Sequence, residues 1–331
     1  FMMEPAITLL GQENLGSWLT DFSLARNIGF SGLFVLLTVL IISAGVEQGI
    51  EKWSSRLMPS LFALMLALIV YVLTQDGASE GMKHYLVPDF SQITNPDLIV
   101  SAMGQAFFSM SLGVGTMLVY GSYIRADENL PTVGALVTLT DTSIAFLAGL
   151  LVLPAIFVAQ KLGVTVYSDS GSLIAGPDLI FQVLPALFDG MGAAGLFVGF
   201  AFFVLMSIAA VTSSISMLEV PVSYAVESHK IDRQTATWII GLIIFGISTA
   251  ISLNFDSLFG FVITLTTERA QPLLSMMICI FAGWIFYRHT ILNELKSGNP
   301  SIESGLFWKL WPAYVKFVCP LLILLTFAQG F

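Results

Sequence analysis

Two serines and three glycines lie close together in an apolar stretch that runs from about residue 99 to residue 124. Residues 104–115 read Gly-Gln-Ala-Phe-Phe-Ser-Met-Ser-Leu-Gly-Val-Gly. A continuous helix would place Ser109 and Ser111 about 200° apart, whereas a backbone released between Ser109 and Gly115 can turn both hydroxyls and several carbonyls toward one ligand. The alternative is that these small residues only let helices pack closely, as is common in membrane proteins.

A carboxylate also lies inside an apolar stretch. Asp141 follows Pro131 by about 15 Å of helix, which places it near the middle of a bilayer core roughly 30 Å thick. A charge at that depth is costly unless it meets a cation, a proton or hydroxyl donors, so a functional role is the first interpretation. A structural hydrogen bond to a neighbouring helix is the alternative.

Ala209, Thr212 and Ser213 have i, i+3 and i+4 spacing. In a helix this spacing stacks one carbonyl and two hydroxyls on one face. Hard cations such as Na⁺ favour oxygen ligands of this kind. The competing interpretation is that the hydroxyls bond back to the preceding turn, and the triplet alone favours that interpretation.

Membrane helices are the elements that must position these residues. The 331 residues are 56% hydrophobic and only 11% charged, far from the soluble average of roughly a quarter charged. Several apolar stretches reach the roughly 20 residues that a helix needs to cross a bilayer, and the alternating pattern of a barrel is missing. We therefore predict an all-α polytopic membrane protein. A net charge of −9 without a basic cluster argues against nucleic acid as a partner.

Eight spans are predicted in the transmembrane domain, residues 27–331. Residues 1–26 are predicted to be an extracellular loop segment. Within the external connection at 161–190, residues 168–190 are predicted to be an external hairpin of two short helices, with an ordinary amphipathic loop as the alternative. The predicted spans are 27–46, 57–74, 98–124, 133–160, 191–226, 235–253, 258–287 and 306–329.

The basic residues between the spans are distributed unevenly, and such residues concentrate on the cytoplasmic side. One set of connections is therefore predicted to be cytoplasmic and the other external. The cytoplasmic set holds Lys52, Arg56, Arg125, Lys230, Arg233, Arg288, Lys296 and Lys309, whereas the external set holds Arg26, Lys83 and Lys161.

In their order and spacing, six motifs resemble the sodium-coupled neurotransmitter and amino-acid symporters, the family of the bacterial leucine transporter. The resemblance covers nearly the whole chain and implies the family fold of two inverted five-helix repeats. The eight spans would be family helices 4 to 11, which implies that the first three helices of the parent chain are missing. The motifs are Gly-Val-Glu-Gln-Gly-Ile-Glu-Lys-Trp (45–53), Met-Pro-Ser-Leu-Phe (58–62), the 104–115 segment, Tyr-Gly-Ser-Tyr-Ile-Arg (120–125), Gly-Pro-Asp-Leu-Ile-Phe (176–181) and Val-Thr-Ser-Ser-Ile-Ser (211–216).

The resemblance also implies roles for individual residues. The implied substrate-binding positions are Phe108, Ser109, Ser111, Gly113, Val114, Ser213 and Met217. The implied sodium ligands are Ser109, Asp141, Ala209, Thr212 and Ser213, and the implied cytoplasmic gate is Ser122, Tyr123 and Glu227. The loop at 161–190 would be a plug in the outer vestibule. Asp141 falls either where the family carries a sodium-ligating amide or near the carboxylate that replaces chloride in chloride-independent members, so a need for chloride stays open.

The function implied by the resemblance is sodium-coupled import of an amino acid or related amine by alternating access. Such a protein would be a multi-pass protein of the bacterial inner membrane, with the lipid bilayer and a small-molecule substrate as its partners. A proton-coupled relative that uses Asp141, and a non-transporting half-transporter or regulatory fragment, are the alternatives. A membrane enzyme is disfavoured because the sequence contains neither an H-E-x-x-H nor a G-x-S-x-G motif.

Overall fold

A computed structural model describes residues 23–167, 174 and 179–329. Residues 1–22 of the predicted N-terminal loop, and residues 168–173 and 175–178 of the predicted plug, lie outside this part of the chain. The α-helices are α1 (Leu24–Ser43), α2 (Lys52–Leu73), α3 (Ala78–Leu86), α4 (Pro96–Ser109), α5 (Thr116–Ser122), α6 (Leu130–Lys161), α7 (Leu184–Gly190), α8 (Ala193–His229), α9 (Arg233–Leu253), α10 (Phe255–Ile263), α11 (Gln271–Ile280), α12 (Arg288–Gly298), α13 (Leu306–Ala313) and α14 (Cys319–Gln329).

Within the described residues, five π-helical turns interrupt or extend these helices. They keep the chain helical through several of the apolar runs, so that two or three short elements together make one long span. The π turns are Val46–Glu51, Leu179–Val183, Thr264–Ala270, Phe281–Ile285 and Tyr314–Val318.

Six helical segments of the described chain are long and apolar enough to cross a membrane. A seventh candidate, residues 257–285, is followed after a bend of 99° by α12. The remaining predicted span, 98–124, forms no single helix but the two shorter helices α4 and α5. The first span begins at Leu24, three residues before the predicted start, because the Ser23 side chain caps the helix by accepting a hydrogen bond from the Arg26 N–H.

One compact unit comprises residues 1–88 and 143–215. Its apolar core joins α2, the second half of α6, α7 and the first half of α8. The short helix α3 lies along α6, where the Tyr85 hydroxyl donates to the Phe146 carbonyl at 3.1 Å and Gly81 packs against the Pro154 backbone. The hydroxyls of Thr38 and Ser214 are 2.8 Å apart and join α1 to α8.

The other compact unit comprises residues 89–142 and 216–331. It contains α4, α5, the first half of α6, the second half of α8 and all helices from α9 onward. Helix α11 packs along α14, and α4 also contacts α14. A small cluster of Leu295, Ile302 and Trp308 anchors α12 and the turn that follows it. The broken third span therefore belongs entirely to this unit.

Candidate functional site

The third span is broken between Ser109, the last residue of α4, and Thr116, the first residue of α5. Three residues of the break have positive φ angles: Ser111 at 50°, Gly113 at 81° and Gly115 at 93°. Glycine adopts this conformation without steric cost, whereas a serine there is uncommon and is a feature of functional sites. The predicted interruption of the helix is confirmed, and it falls within the predicted residues 109–115.

The break brings Ser109 to Asp141. The Ser109 Oγ lies 2.7 Å from Oδ1 and 2.8 Å from Oδ2 of Asp141, which is part of the continuous helix α6. Both residues are half-buried. The hydroxyl donates a hydrogen bond to the carboxylate and keeps its own lone pairs, so the pair presents a negative charge and several oxygen acceptors at one place. This arrangement suits a small hard cation.

Helix α11 supports the break through Gln271. The Gln271 Nε2 donates to the Phe107 carbonyl, near the end of α4, at 2.9 Å. Gln271 and Ser275 are 6% and 5% exposed, and the Ser275 hydroxyl donates to the Gln271 carbonyl. Gly113 packs against both residues, and a Cβ at Gly113 would collide with the Gln271 carbonyl oxygen.

Sequence reasoning did not identify Gln271 as part of the site. The available signal was an amide side chain in the middle of an apolar run, directly after Thr-Thr-Glu-Arg-Ala. A buried amide needs a hydrogen-bond partner, and only the packing of α11 against the break reveals that this partner is the Phe107 carbonyl.

The three residues predicted for a second sodium position lie on an uninterrupted part of α8. The Thr212 Oγ1 donates to the carbonyls of Ile208 at 3.1 Å and Ala209 at 3.0 Å. Thr212 is buried, whereas Ser213 is exposed. The hydroxyl of Thr212 thus makes the local bond that the sequence spacing favoured, and its role as a sodium ligand stays a prediction.

The predicted substrate-binding residues fall in both compact units. Ser213 belongs to the first unit, and the others belong to the second. Phe108 and Met217 are 55% and 53% exposed, while Val114 is half-buried within the break. Their contact with a substrate stays a prediction.

The predicted gate residue Tyr123 contacts a carboxylate other than Glu227. The Tyr123 hydroxyl donates to Oε1 of Glu219 at 2.5 Å, and Arg233 Nη2 lies 2.6 Å from Oε2 of the same side chain. Glu219 is fully buried, so the guanidinium and the phenol compensate its charge. Glu227 lies two turns further along α8 and is exposed.

The other gate residue, Ser122, donates to the Val119 carbonyl at 2.6 Å within its own helix. Sequence analysis used Arg233 only as a basic residue of the predicted cytoplasmic side and did not pair it with Glu219. The gate assignment of Ser122, Tyr123 and Glu227 stays a prediction.

The described part of the predicted plug, 161–190, belongs to the first unit. Leu184, Leu187 and Phe188 of α7 are buried in its core. The two short external helices predicted for 168–190 are described only from residue 179 onward. The role of this segment as a vestibule plug stays a prediction.

A broken span that pairs a hydroxyl with a carboxylate inside a bundle of apolar helices is typical of membrane transport proteins, whose ligand sites are built from interrupted helices. Residues 27–331 match the model of the Sodium:neurotransmitter symporter family. The chain belongs to this family, which is a family of transporters and not of enzymes.

Relatives and a solved structure agree with this assignment. The chain is 32% identical over 305 residues to the uncharacterised sodium-dependent transporter YhdH of Bacillus subtilis (strain 168), covering 89% of this chain and 64% of the relative. It is 34% identical over 309 residues to an uncharacterised sodium-dependent transporter of Haemophilus influenzae, covering 92% of this chain and 65% of the relative. The chain thus spans about two thirds of the length of these relatives.

The structure is similar to the crystal structure of MhsT in complex with L-phenylalanine. The TM-score is 0.80 at 34% sequence identity, and the match covers 100% of this chain and 76% of that chain. The chain therefore has the leucine-transporter-like fold. The all-helical fold class and the family predicted from the sequence are both confirmed.

Proposed function

We propose that the intact protein is a sodium-coupled symporter that carries an amino acid or a related amine across the cell membrane by alternating access. The observation that carries the proposal is the contact between Ser109 and Asp141 at the break of the third span. Oxygen atoms released by a broken helix, together with a fixed negative charge, can replace part of the water shell of Na⁺. Coupling follows because an ion and a substrate that favour the same state strengthen each other's binding.

Two observations support an amino acid as the substrate. The solved MhsT structure holds L-phenylalanine, and the match covers the whole of this chain. The break also contains Val114, a small apolar side chain at a position that the resemblance assigns to the substrate pocket. A neutral amino acid with a bulky apolar side chain fits such a pocket best.

Uptake into proteoliposomes tests this proposal. The intact protein is expected to accumulate labelled neutral amino acids under an inward Na⁺ gradient, and a proton gradient alone should not replace Na⁺. Because Asp141 supplies a fixed negative charge, uptake is expected to persist when gluconate replaces chloride. The Asp141→Asn variant should raise the half-saturating Na⁺ concentration by about tenfold or more, since a hydrogen bond to a charged group contributes about 1.5–3 kcal/mol.

Thr142→Ala is the matched control, because Thr142 is the next residue of α6 and its hydroxyl bonds only to the Thr138 carbonyl within the same helix. This variant should keep the wild-type Na⁺ dependence. Uptake that follows pH and ignores Na⁺ would favour the proton-coupled alternative. An unchanged Na⁺ activation curve in Asp141→Asn would remove Asp141 from the ion site.

A further inference from the structure

A lysine lies on an exposed aromatic surface of the second compact unit. The Lys316 Nζ is 4.1 Å from the centroid of the Trp284 ring and 5.7 Å from that of Phe317. Trp284 and Phe317 are each 58% exposed. The ring faces attract the ammonium group, so the cation is held at the protein surface and not inside it.

The backbone around this lysine has an unusual form. Trp284 and Lys316 lie on two π turns, Phe281–Ile285 and Tyr314–Val318, and the Trp284 indole N–H donates to the Lys316 carbonyl at 3.2 Å. Gly283 allows the close approach, since a Cβ there would lie 2.9 Å from the Lys316 Cα. π turns within helices are frequent at functional sites, and here they fix the lysine against the indole ring.

Trp284 lies at an end of its span, because the chain bends by 99° directly after residue 285. Lys316 follows the start of α13 by ten residues, but it contacts Trp284, which lies in the last turn before the helix ends at Phe286. The charged helix α12 begins at Arg288. Tryptophan is enriched at membrane–water interfaces, and lysine side chains extend toward them.

Lys316 lacks a compensating acid within the part of the chain that the structure describes. The ion pairs of Arg125 with Asp127, Arg233 with Glu219 and Lys296 with Glu303 do not involve Lys316. The aromatic rings offer negative faces but no countercharge. An anion that fits this surface must therefore come from outside the described chain and must tolerate an apolar surrounding.

We propose that Lys316 and Trp284 form a binding site for the phosphate group of an anionic phospholipid. The lysine would pair with the phosphate, and the acyl chains would lie along the exposed side chains of Phe317 and Leu321, which share one helix face at i, i+4 spacing. The proposal requires the chain to lie in a bilayer, and it is independent of which ion or substrate the protein carries.

Native mass spectrometry of the intact protein in detergent, titrated with phosphatidylglycerol or phosphatidylcholine, tests this site. The wild-type protein is expected to bind phosphatidylglycerol more tightly than phosphatidylcholine. Lys316→Gln should weaken phosphatidylglycerol binding about fivefold and leave phosphatidylcholine binding unchanged. Trp284→Leu should weaken it about threefold, whereas Trp284→Phe should retain most of the affinity because the ring remains.

Lys309→Gln is the matched control, because it removes the same charge from an exposed residue seven positions earlier in the same span. It should change phosphatidylglycerol binding by less than about twofold. Lys316→Arg should bind as the wild type does, which separates loss of charge from loss of folding. Equal affinity for the two lipids, or equal losses in Lys309→Gln and Lys316→Gln, would overturn the proposal.

Discussion

The hydroxyl groups of two segments, the break at 109–115 and helix α8, have different hydrogen-bond partners. At the break, the Ser109 hydroxyl bonds to the Asp141 carboxylate, 32 residues away on another helix. In the continuous helix α8, the Thr212 hydroxyl donates to carbonyls three and four residues earlier in the same helix. At the break, the interrupted backbone lets the Ser109 hydroxyl reach a group on another helix. Packing matters as well, because the Thr38 and Ser214 hydroxyls lie 2.8 Å apart between the continuous helices α1 and α8.

The two segments also differ in what holds them. The α8 helix satisfies its own backbone, so the Ala209 carbonyl is already engaged by Thr212. The break instead depends on positive φ angles at Ser111 and Gly113 and on the Gln271 amide from another helix. We therefore expect substitutions that affect the break to have larger effects than substitutions of comparable size in α8.

The largest effect is expected from Gly113→Ala. A Cβ at this residue would collide with the Gln271 carbonyl and the Ser275 side chain, and the residue must also keep a φ of 81°. Left-handed backbone and overpacking each cost on the order of 1–2 kcal/mol, so we expect a loss of about 3 kcal/mol in stability. Thermal unfolding in detergent measures this loss, and uptake should fall in parallel.

Gly104→Ala provides the control for this prediction. Gly104 lies inside α4, and a Cβ there would meet no heavy atom within 4 Å. Alanine is better than glycine inside a helix, so this variant should be neutral or more stable by about 0.5–1 kcal/mol. If both variants unfold at the wild-type temperature, the break is not held against α11 as the structure shows.

A smaller effect is expected from Gln271→Leu. This variant retains the volume of the side chain but removes the N–H that donates to the Phe107 carbonyl. A buried hydrogen bond contributes about 1 kcal/mol, and we expect that loss in stability together with weaker substrate binding because the end of α4 is less well held. Unfolding and substrate titration measure the two effects separately.

Ser275→Ala sharpens the test of Gln271. The Ser275 hydroxyl donates only to the Gln271 carbonyl within its own helix, so its loss should cost less than about 0.5 kcal/mol. A loss in Ser275→Ala as large as in Gln271→Leu would show that general packing, and not the amide bond to the break, stabilises this region.

Composition was sufficient to predict an all-helical membrane protein, whereas the leucine-transporter-like fold was implied by the resemblance of the six motifs. The small residues of 104–115 predicted the break as one of two interpretations. Apolar runs of membrane length define helices, and glycines at residues 113 and 115 supply the positive φ angles that end one. The depth of Asp141 was also predictable from helix rise alone. What composition could not supply is the partner of each polar group.

Partners across helices depend on packing that no local pattern encodes. Helix rise predicted the depth of Asp141, and the resemblance placed it with Ser109 among the sodium ligands, but the hydrogen bond between the two side chains was not predicted. Gln271 was not recognised at all. Glu219 and Glu227 are both acids on α8, separated by about 12 Å along the helix. The position along α8 at which the end of α5 packs determines that Tyr123 contacts Glu219 and not Glu227.

The smallest effect is expected from Thr212→Ala, measured beside Ser109→Ala in the Na⁺ activation curve of uptake. Ser109→Ala removes the hydroxyl that bonds to a carboxylate, so the half-saturating Na⁺ concentration should rise about tenfold. Thr212→Ala removes a hydroxyl that is already engaged with its own helix, so the rise should be about two- to threefold.

Thr142→Ala again serves as the control, because the Thr142 hydroxyl bonds within its own helix. This variant should not change the half-saturating Na⁺ concentration of uptake. A shift for Thr212→Ala that equals the shift for Ser109→Ala would reverse the comparison. It would mean that the Thr212 hydroxyl leaves its local bond during transport. An unbroken helix would then contribute as much to sodium coupling as the broken one, because rotation of the hydroxyl group, and not the backbone, would set the ion affinity.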